Sequence, residues 1–370
     1  MTLSLLLSVT LLVAPVHLDD ADAAEAIREA CSDLVTAETS GNLPAIRRST
    51  IELLSACKNQ KLEILLKAEE DAAVLRKCLL VIGTDHGLQG RQAQVTATLG
   101  SLVEKFPDSA EAKKAGVPLA RASSEMGQID AALALIRKAT EQLEAGSVEI
   151  REAWMLRGDL HAARGETLDA RRAWSRLLDD LERHGNDTRA RRNSTVRLTL
   201  LGKKAPLLSS NTWFGGTRRT LTQMRGEVVL LDFWATWCSP CRDLMPGLDQ
   251  VHQSHKDQGL NVLGVTKPYS RGWLPSKEDP KRGQGVTRMD GDAFLMHLSD
   301  FRKRFGVSYP FVLTSKTVFD YYHVGGIPMV VLIDRDGTIA WVRVGSGGEG
   351  LLEAVIERLL AKKSVPPESG

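Results

Sequence analysis

At 370 residues, with 43% hydrophobic and 25% charged side chains, the chain is ordinary for a globular protein and supplies two buried cores. Its formal net charge of +2 gives no electrostatic reason to invoke nucleic acid as a partner. The run from Leu3 to Val13 is apolar but too short to cross a bilayer, so no membrane span is expected in the mature chain. Ala21-Asp22-Ala23 follows it as a small-x-small cleavage site before Ala24. Together they predict a signal peptide over residues 1–23 and an exported, periplasmic or envelope protein. Met1-Thr2 lacks the usual basic residue, and the cytoplasmic alternative reads the same run as an ordinary N-terminal helix.

Residues 24–185 read as one helix after another, rich in Ala, Leu, Glu, Arg and Lys with few β-branched runs. Gly90, Gly127 and Gly165 recur at spacings of 37 and 38 residues, each where one helical pattern gives way to the next, and Gly41 marks a degenerate earlier copy. The last copy, Trp154-x-x-x-Gly158 with Gly165, Ala170 and Trp174, resembles the tetratricopeptide (TPR) pattern, although that repeat has a period of 34. Phe106-Pro107-Asp108-Ser109 resembles its closing proline turn. Trp154 and Trp174 are expected in the core, and His161 as a packing residue rather than a ligand. A stacked array of this kind offers a concave surface that recruits a protein partner, or else serves as a spacer. Cys31, Cys57 and Cys78 lie in helical patterns, and spacing leaves open whether two of them pair or all three are inert core thiols.

Residues 186–200 are polar and basic, and with Lys203 and Lys204 they place Arg189, Arg191, Arg192 and Arg197 in one cluster without interleaved aromatics. That composition predicts a solvated linker. Val228-Val229-Leu230-Leu231-Asp232-Phe233 then reads as a buried strand, followed after a short turn by Trp237-Cys238-Ser239-Pro240-Cys241. Two thiols three positions apart at a helix start can open and close a disulfide as a unit. Orphan N–H groups and the helix dipole there favour the thiolate, which is the nucleophile. A structural zinc site needs two more ligands, and none stands at a suitable spacing; no metal and no cofactor are expected. Past the strand Leu260 to Val265, residues 267–291 are rich in Gly, Pro and charge and read as a surface insertion, either rimming the site or decorating it. A helix over Asp292–Phe305 and a strand Val331–Ile333 with an Asp336-Gly337 turn follow. The domain is expected over 201–364, with a tail at 365–370.

The block Phe233-Trp234-Ala235-Thr236-Trp237-Cys238-Ser239-Pro240-Cys241-Arg242 resembles the active site of the thioredoxin superfamily, nearest to its TlpA/ResA-like thiol–disulfide oxidoreductases. Further landmarks fall in order: Gly202-Lys203-Lys204-Ala205-Pro206, Leu221 to Val229, Tyr309 to Val312, and Tyr322 to Pro328. The resemblance covers about residues 200–362. It says nothing about residues 1–190 and implies an α/β thioredoxin-like fold with a central mixed sheet flanked by helices; with the helical pattern before it, the expected architecture is two-domain, an all-α TPR-like array followed by that fold. It further implies that Cys238 attacks and Cys241 resolves, with Ser239 and Pro240 forming the active-site turn. Pro328 matches the family's cis-proline, Ile327 would offer backbone groups to a client, and Trp237 would shape the docking surface. Asp232 matches a buried carboxylate that moves protons during exchange. The family often carries Glu three residues after the second cysteine, where this chain has Leu244.

The function implied is disulfide exchange with client protein thiols, in the reductive direction, with an external electron donor or acceptor. A TPR-like binding scaffold carrying an inert thioredoxin-like domain is the alternative. A thiol peroxidase is less favoured, because the Pro and Thr that usually precede a peroxidatic cysteine are Leu231 and Ala235 here.

Overall fold

The structure, a computed structural model, describes residues 20–56, 72–185, 187–210, 212–279 and 282–362. Residues 1–19 of the expected leader, Cys57 and the 365–370 tail lie outside them. The described N-terminal residues form α1 (Asp20–Ser40), α2 (Leu43–Ala56), α3 (Ala72–Leu88), α4 (Gln92–Lys105), α5 (Ala110–Glu125) and α6 (Ile129–Gln142). Next come α7 (Val148–Arg164), α8 (Thr167–His184) and α9 (Thr188–Leu200). The four glycines singled out by spacing, Gly41, Gly90, Gly127 and Gly165, all have φ between 65° and 82° and lie in turns between successive helices. A side chain with a Cβ is strained in that left-handed region, so glycine ends each helix without cost to the reversal.

The chain divides into two compact units: residues 1–123 with 134–143, and residues 124–133 with 144–370. In the first, Ile27, Leu34, Leu53, Leu79, Leu99 and Leu102 form an aliphatic core. Cys31 and Cys78 are fully buried in that core and joined as a disulfide.

The second unit joins helices α7 to α9 to the α/β part of the chain. Its sheet contains β1 (Thr212–Phe214), β2 (Val228–Phe233), β3 (Leu260–Thr266), β6 (Phe311–Leu313), β7 (Met329–Ile333) and β8 (Ile339–Val344), in the order β1-β6-β3-β2-β7-β8. Strands β2, β3 and β6 run parallel, while β1, β7 and β8 pair antiparallel. Helices α10 (Ser239–His255), α11 (Gly291–Phe305), α12 (Lys316–Tyr321) and α13 (Glu349–Leu360) complete it. Every residue of β2 is buried, as expected of a central strand covered on both faces.

Two expectations are corrected here, and one, the insertion, is given its internal structure. The stretch 186–200 is not a linker: from Thr188 it is helix α9, capped by Asp187 Oδ1, which accepts from the N–H groups of Arg189 (3.0 Å) and Ala190 (2.9 Å). Val196 and Leu200, four residues apart, share a core with Val229, Leu231 and Phe233 of β2. Arg197 is buried and paired with Asp159 through two hydrogen bonds of 2.7 and 3.1 Å. The arginine density hid an amphipathic helix whose apolar stripe is only two residues wide. Secondly, the 267–291 insertion contains an antiparallel hairpin, β4 (Arg271–Pro275) with β5 (Gly283–Thr287). Thirdly, Trp174 is fully buried against Gly158, where a Cβ would collide with the indole, but Trp154 is half-exposed with Arg157 5.3 Å over its ring. His161 is not simply a packing residue, since its Nδ1 lies 2.7 Å from a Glu166 carboxylate oxygen.

Candidate active site

Strand β2 ends at Phe233, and a five-residue turn delivers the chain to α10, whose N-cap is Cys238. Pro240 sits in the first turn of α10, where its missing N–H removes no helical hydrogen bond and its fixed φ suits the helix. Cys238 and Cys241 are bonded, with Cα atoms 5.3 Å apart. The Cys241 N–H points at Cys238 Sγ (3.3 Å), so the helix N-terminus addresses the sulfur that would carry the negative charge after reduction. Cys241 is wholly buried and Cys238 is 5% exposed, while Ser239 and Pro240 are exposed. The thiol pair thus has one accessible edge, on the Cys238 side.

Pro328 enters the same region through the sheet. The Ile327–Pro328 bond is cis, Pro328 is buried and Ile327 half-buried. Met329, the next residue, pairs directly with Phe233, so the proline loop and the Cys-x-x-Cys turn leave adjacent ends of neighbouring strands. The Pro328 carbonyl accepts from the Gly345 N–H at 2.8 Å, which ties this loop to the end of β8.

Asp232 lies within β2 and is completely buried, and neither carboxylate oxygen has a hydrogen-bond partner. Alternation along β2 sends Leu231 and Phe233 into the core shared with α9 and α12, leaving Asp232 on the opposite face. Its register partner on β3 is Gly264, whose missing side chain makes room for Trp234, Tyr309 and Phe311. Burial without compensation pushes the Asp232 carboxyl up to about 8, so it is held neutral at moderate pH. Tyr309 is fully buried and its hydroxyl also lacks a partner. Its acidity is suppressed by burial and then by Asp232.

The flank of the site was not legible in the sequence. Thr236 is buried, and its hydroxyl lies 2.8 Å from His297 Nε2 on α11 and accepts from the Trp273 N–H at 3.3 Å. One hydroxyl therefore joins the turn before Cys238 to both α11 and the hairpin. Burial depresses the basicity of His297. Arg242, next to Cys241, donates to the Thr236 carbonyl (2.8 Å) and lies 4.0 Å over the Trp273 ring. Arg271 stacks 4.4 Å over Trp237, which also meets Tyr269 edge-on at 5.6 Å. The hairpin rims the active-site turn. Gly272 allows this approach, because a Cβ there would strike His297. Nothing in the spacing links positions 236, 273 and 297, so the sequence offered no signal for this flank.

Among the described residues, one group could present three metal-binding atoms, His161, Glu166 and Asp169. It does not include either cysteine of the pair, and Glu166 is already paired with Arg164 (2.9 Å).

Residues 201–342 match the AhpC/TSA family. The thiol–disulfide oxidoreductase ResA of Geobacillus kaustophilus is 28% identical over 145 residues, 39% of this chain and 70% of that protein. ResA of Geobacillus thermodenitrificans is 29% identical over 132 residues, 35% of this chain and 62% of that protein. Among solved structures, a thiol:disulfide interchange protein of Chlorobium tepidum is 20% identical, with a TM-score of 0.34, over 43% of this chain and 97% of that one. The family match leaves the described helices before Leu201 outside it. The chain is thus a helical N-terminal region followed by an α/β thioredoxin-like domain that matches the AhpC/TSA family over residues 201–342 and is similar in sequence to ResA thiol–disulfide oxidoreductases.

Proposed function

We propose that the protein is a thiol–disulfide oxidoreductase that exchanges the Cys238–Cys241 disulfide with cysteines of client proteins, acting as a reductase. The observation that carries this reading is the closed pair at the N-terminus of α10, with the Cys241 N–H aimed at Cys238 Sγ and a neutral carboxyl, Asp232, buried in the preceding strand. In the reduced protein the Cys238 thiolate attacks one sulfur of a client disulfide. One client sulfur leaves as a thiolate, and a Cys238–client mixed disulfide forms. Cys241 then loses its proton and attacks Cys238 Sγ, releasing the second client thiol and closing the pair. Two electrons have passed to the client. The minor ionised fraction of Asp232 would take the Cys241 proton, because its raised affinity matches that of a thiol more closely than an ordinary carboxylate's does. Ile327 and Pro328 would seat the client chain beside the sulfurs, and Trp237 would form the wall opposite.

The protein would be re-reduced by an external donor and would work outside the cytoplasm. A second disulfide, buried in the core of the first unit, supports that compartment. No described helix is long and apolar enough to cross a membrane. The helical region, TPR-like in its glycine-closed helix pairs, would hold partners near the thiols and raise their effective concentration.

The equilibrium potential of the pair, measured against a glutathione series, tests the direction. A value near or below about −270 mV supports a reductase, whereas one above about −150 mV makes the protein a disulfide donor. Separately, Cys241→Ser should accumulate a client mixed disulfide on Cys238 and Cys238→Ser should not. Equal trapping by both would overturn the assigned roles.

A further inference from the structure

Helix α9 and the loop that leads from α12 to the cis-proline enclose a groove of about 550 Å³. Thr188, Arg191, Arg192, Thr195 and Thr199 line it from the helix, and His323, Val324 and Gly325 from the loop. Gly325 lies three residues before Pro328, and its missing side chain is where the aliphatic stem of Arg192 rests. Arg189, on the same helix, reaches to within 3.8 Å of the Cβ position at Gly345, the residue whose N–H holds the Pro328 carbonyl. The basic end of α9 is therefore built against the loop that faces the redox turn.

The charge of this groove is one-sided. Arg189, Arg191 and Arg192 are exposed, and no carboxylate pairs with them among the described residues. Asp320, the acidic lining residue, is already paired with Lys316 at 2.7 Å. The N-cap carboxylate of Asp187 is taken up by two backbone N–H groups, and the three arginines that follow oppose the helix dipole, which favours negative charge there. A partner carrying carboxylates would relieve both features. The floor, with Val196 and Val324, accepts apolar side chains between them.

We propose that this groove seats an acidic, extended segment of the client protein flanking its reactive cysteine, so that α9 selects clients by charge. The proposal rests on the oxidoreductase reading and names its substrate class. Arg189, Arg191 and Arg192 draw in the acidic segment, and its continuation runs along Gly325 to Ile327 toward Cys238. Selection by such rim charges acts mainly on the association rate and weakens with salt.

The test uses the full chain, reduced beforehand with dithiothreitol and freed of it. Two synthetic peptides, each with one internal disulfide, differ only in whether three Asp or three Ser residues precede the first cysteine. Oxidation of the protein is followed by its tryptophan fluorescence. At low ionic strength the acidic peptide should react at least about tenfold faster in second-order rate. In the R191E/R192E variant that advantage should vanish or invert, while the neutral peptide stays within about twofold. These substitutions place Glu near a helix N-terminus on exposed positions, so folding is not at risk. Equal rates for both peptides in the native protein, or an advantage that survives R191E/R192E, would overturn the proposal. A cysteine-free acidic peptide with a fluorescent label, read by anisotropy, separates the two readings. Binding that R191E/R192E abolishes supports the groove even if no peptide disulfide is reduced, an outcome that would sink the exchange reading alone. An acidic peptide that fails to bind, with self-association of the native chain that R191E/R192E abolishes, would assign the groove to a second copy and overturn the proposal.

Discussion

Asp232 is the residue whose energetic contribution depends most directly on pH. Its carboxyl has no partner, and burial alone raises its affinity for a proton from the ordinary value of 3.8 to about 8. Between those values the folded chain holds a proton that the unfolded chain has released. Stability contributed by this group is therefore fully present below about 3.8, falls as pH rises toward 8, and is level above that. Asp232→Asn removes the effect, so the variant should gain on the native protein by up to about 1.4 kcal/mol per pH unit across that window. Urea denaturation at pH 5 and pH 8 measures it, and parallel behaviour of the two proteins would mean that the carboxyl is hydrated or paired. Asp232 was pointed to by the family resemblance of the block that holds it, and the Cys238 and Cys241 pair was legible from its spacing at a helix start. Thr236 and His297 were not, since 61 positions separate them and no periodicity connects a turn residue to a distant helix.

The elements of the domain divide along the same line. Strand β2 announced itself by an unbroken apolar run, and α10 by its cysteine N-cap and early proline. Helix α9 did not, because a short apolar stripe, Val196 and Leu200, is outnumbered by arginine and threonine in a helix that buries one edge only. Its place in the core of the sheet leads to a direct test. Leu200 is 3% exposed, so Leu200→Ala should destabilise the unit by about 2–5 kcal/mol, read from chemical denaturation followed by near-ultraviolet circular dichroism. A linker residue would change stability by under about 0.5 kcal/mol. The hairpin β4–β5 was hidden for a different reason: glycine, proline and charge describe a surface excursion equally well whether it pairs with itself or not. Pairing of Trp273 and Arg271 with the active-site turn is what makes it part of the site.

For the molecule as a whole, the redox disulfide and the buried Cys31–Cys78 disulfide sit in separate compact units. The second closes a span of 47 residues, for which chain-entropy arguments give about 2–4 kcal/mol of stabilisation. Replacing Cys31 and Cys78 together by Ala should lower the melting temperature of the helical unit and leave the peptide-disulfide reduction rate of Cys238/Cys241 unchanged. Differential scanning calorimetry with a parallel rate assay checks both, and a loss of exchange would show that the two units are coupled.

The sequence by itself determined the class of chemistry, the order of a helical region before an α/β domain, and the glycines that reverse the helices. These are local properties: a run of β-branched residues, a cysteine spacing, a residue that tolerates positive φ. Tertiary structure alone decided where one unit ends and the next begins, which of the upstream cysteines pair, and which side chains frame the redox turn. Those outcomes depend on contacts between segments far apart in the chain, where the free energy comes from burial against a partner surface and leaves no periodic trace in either segment.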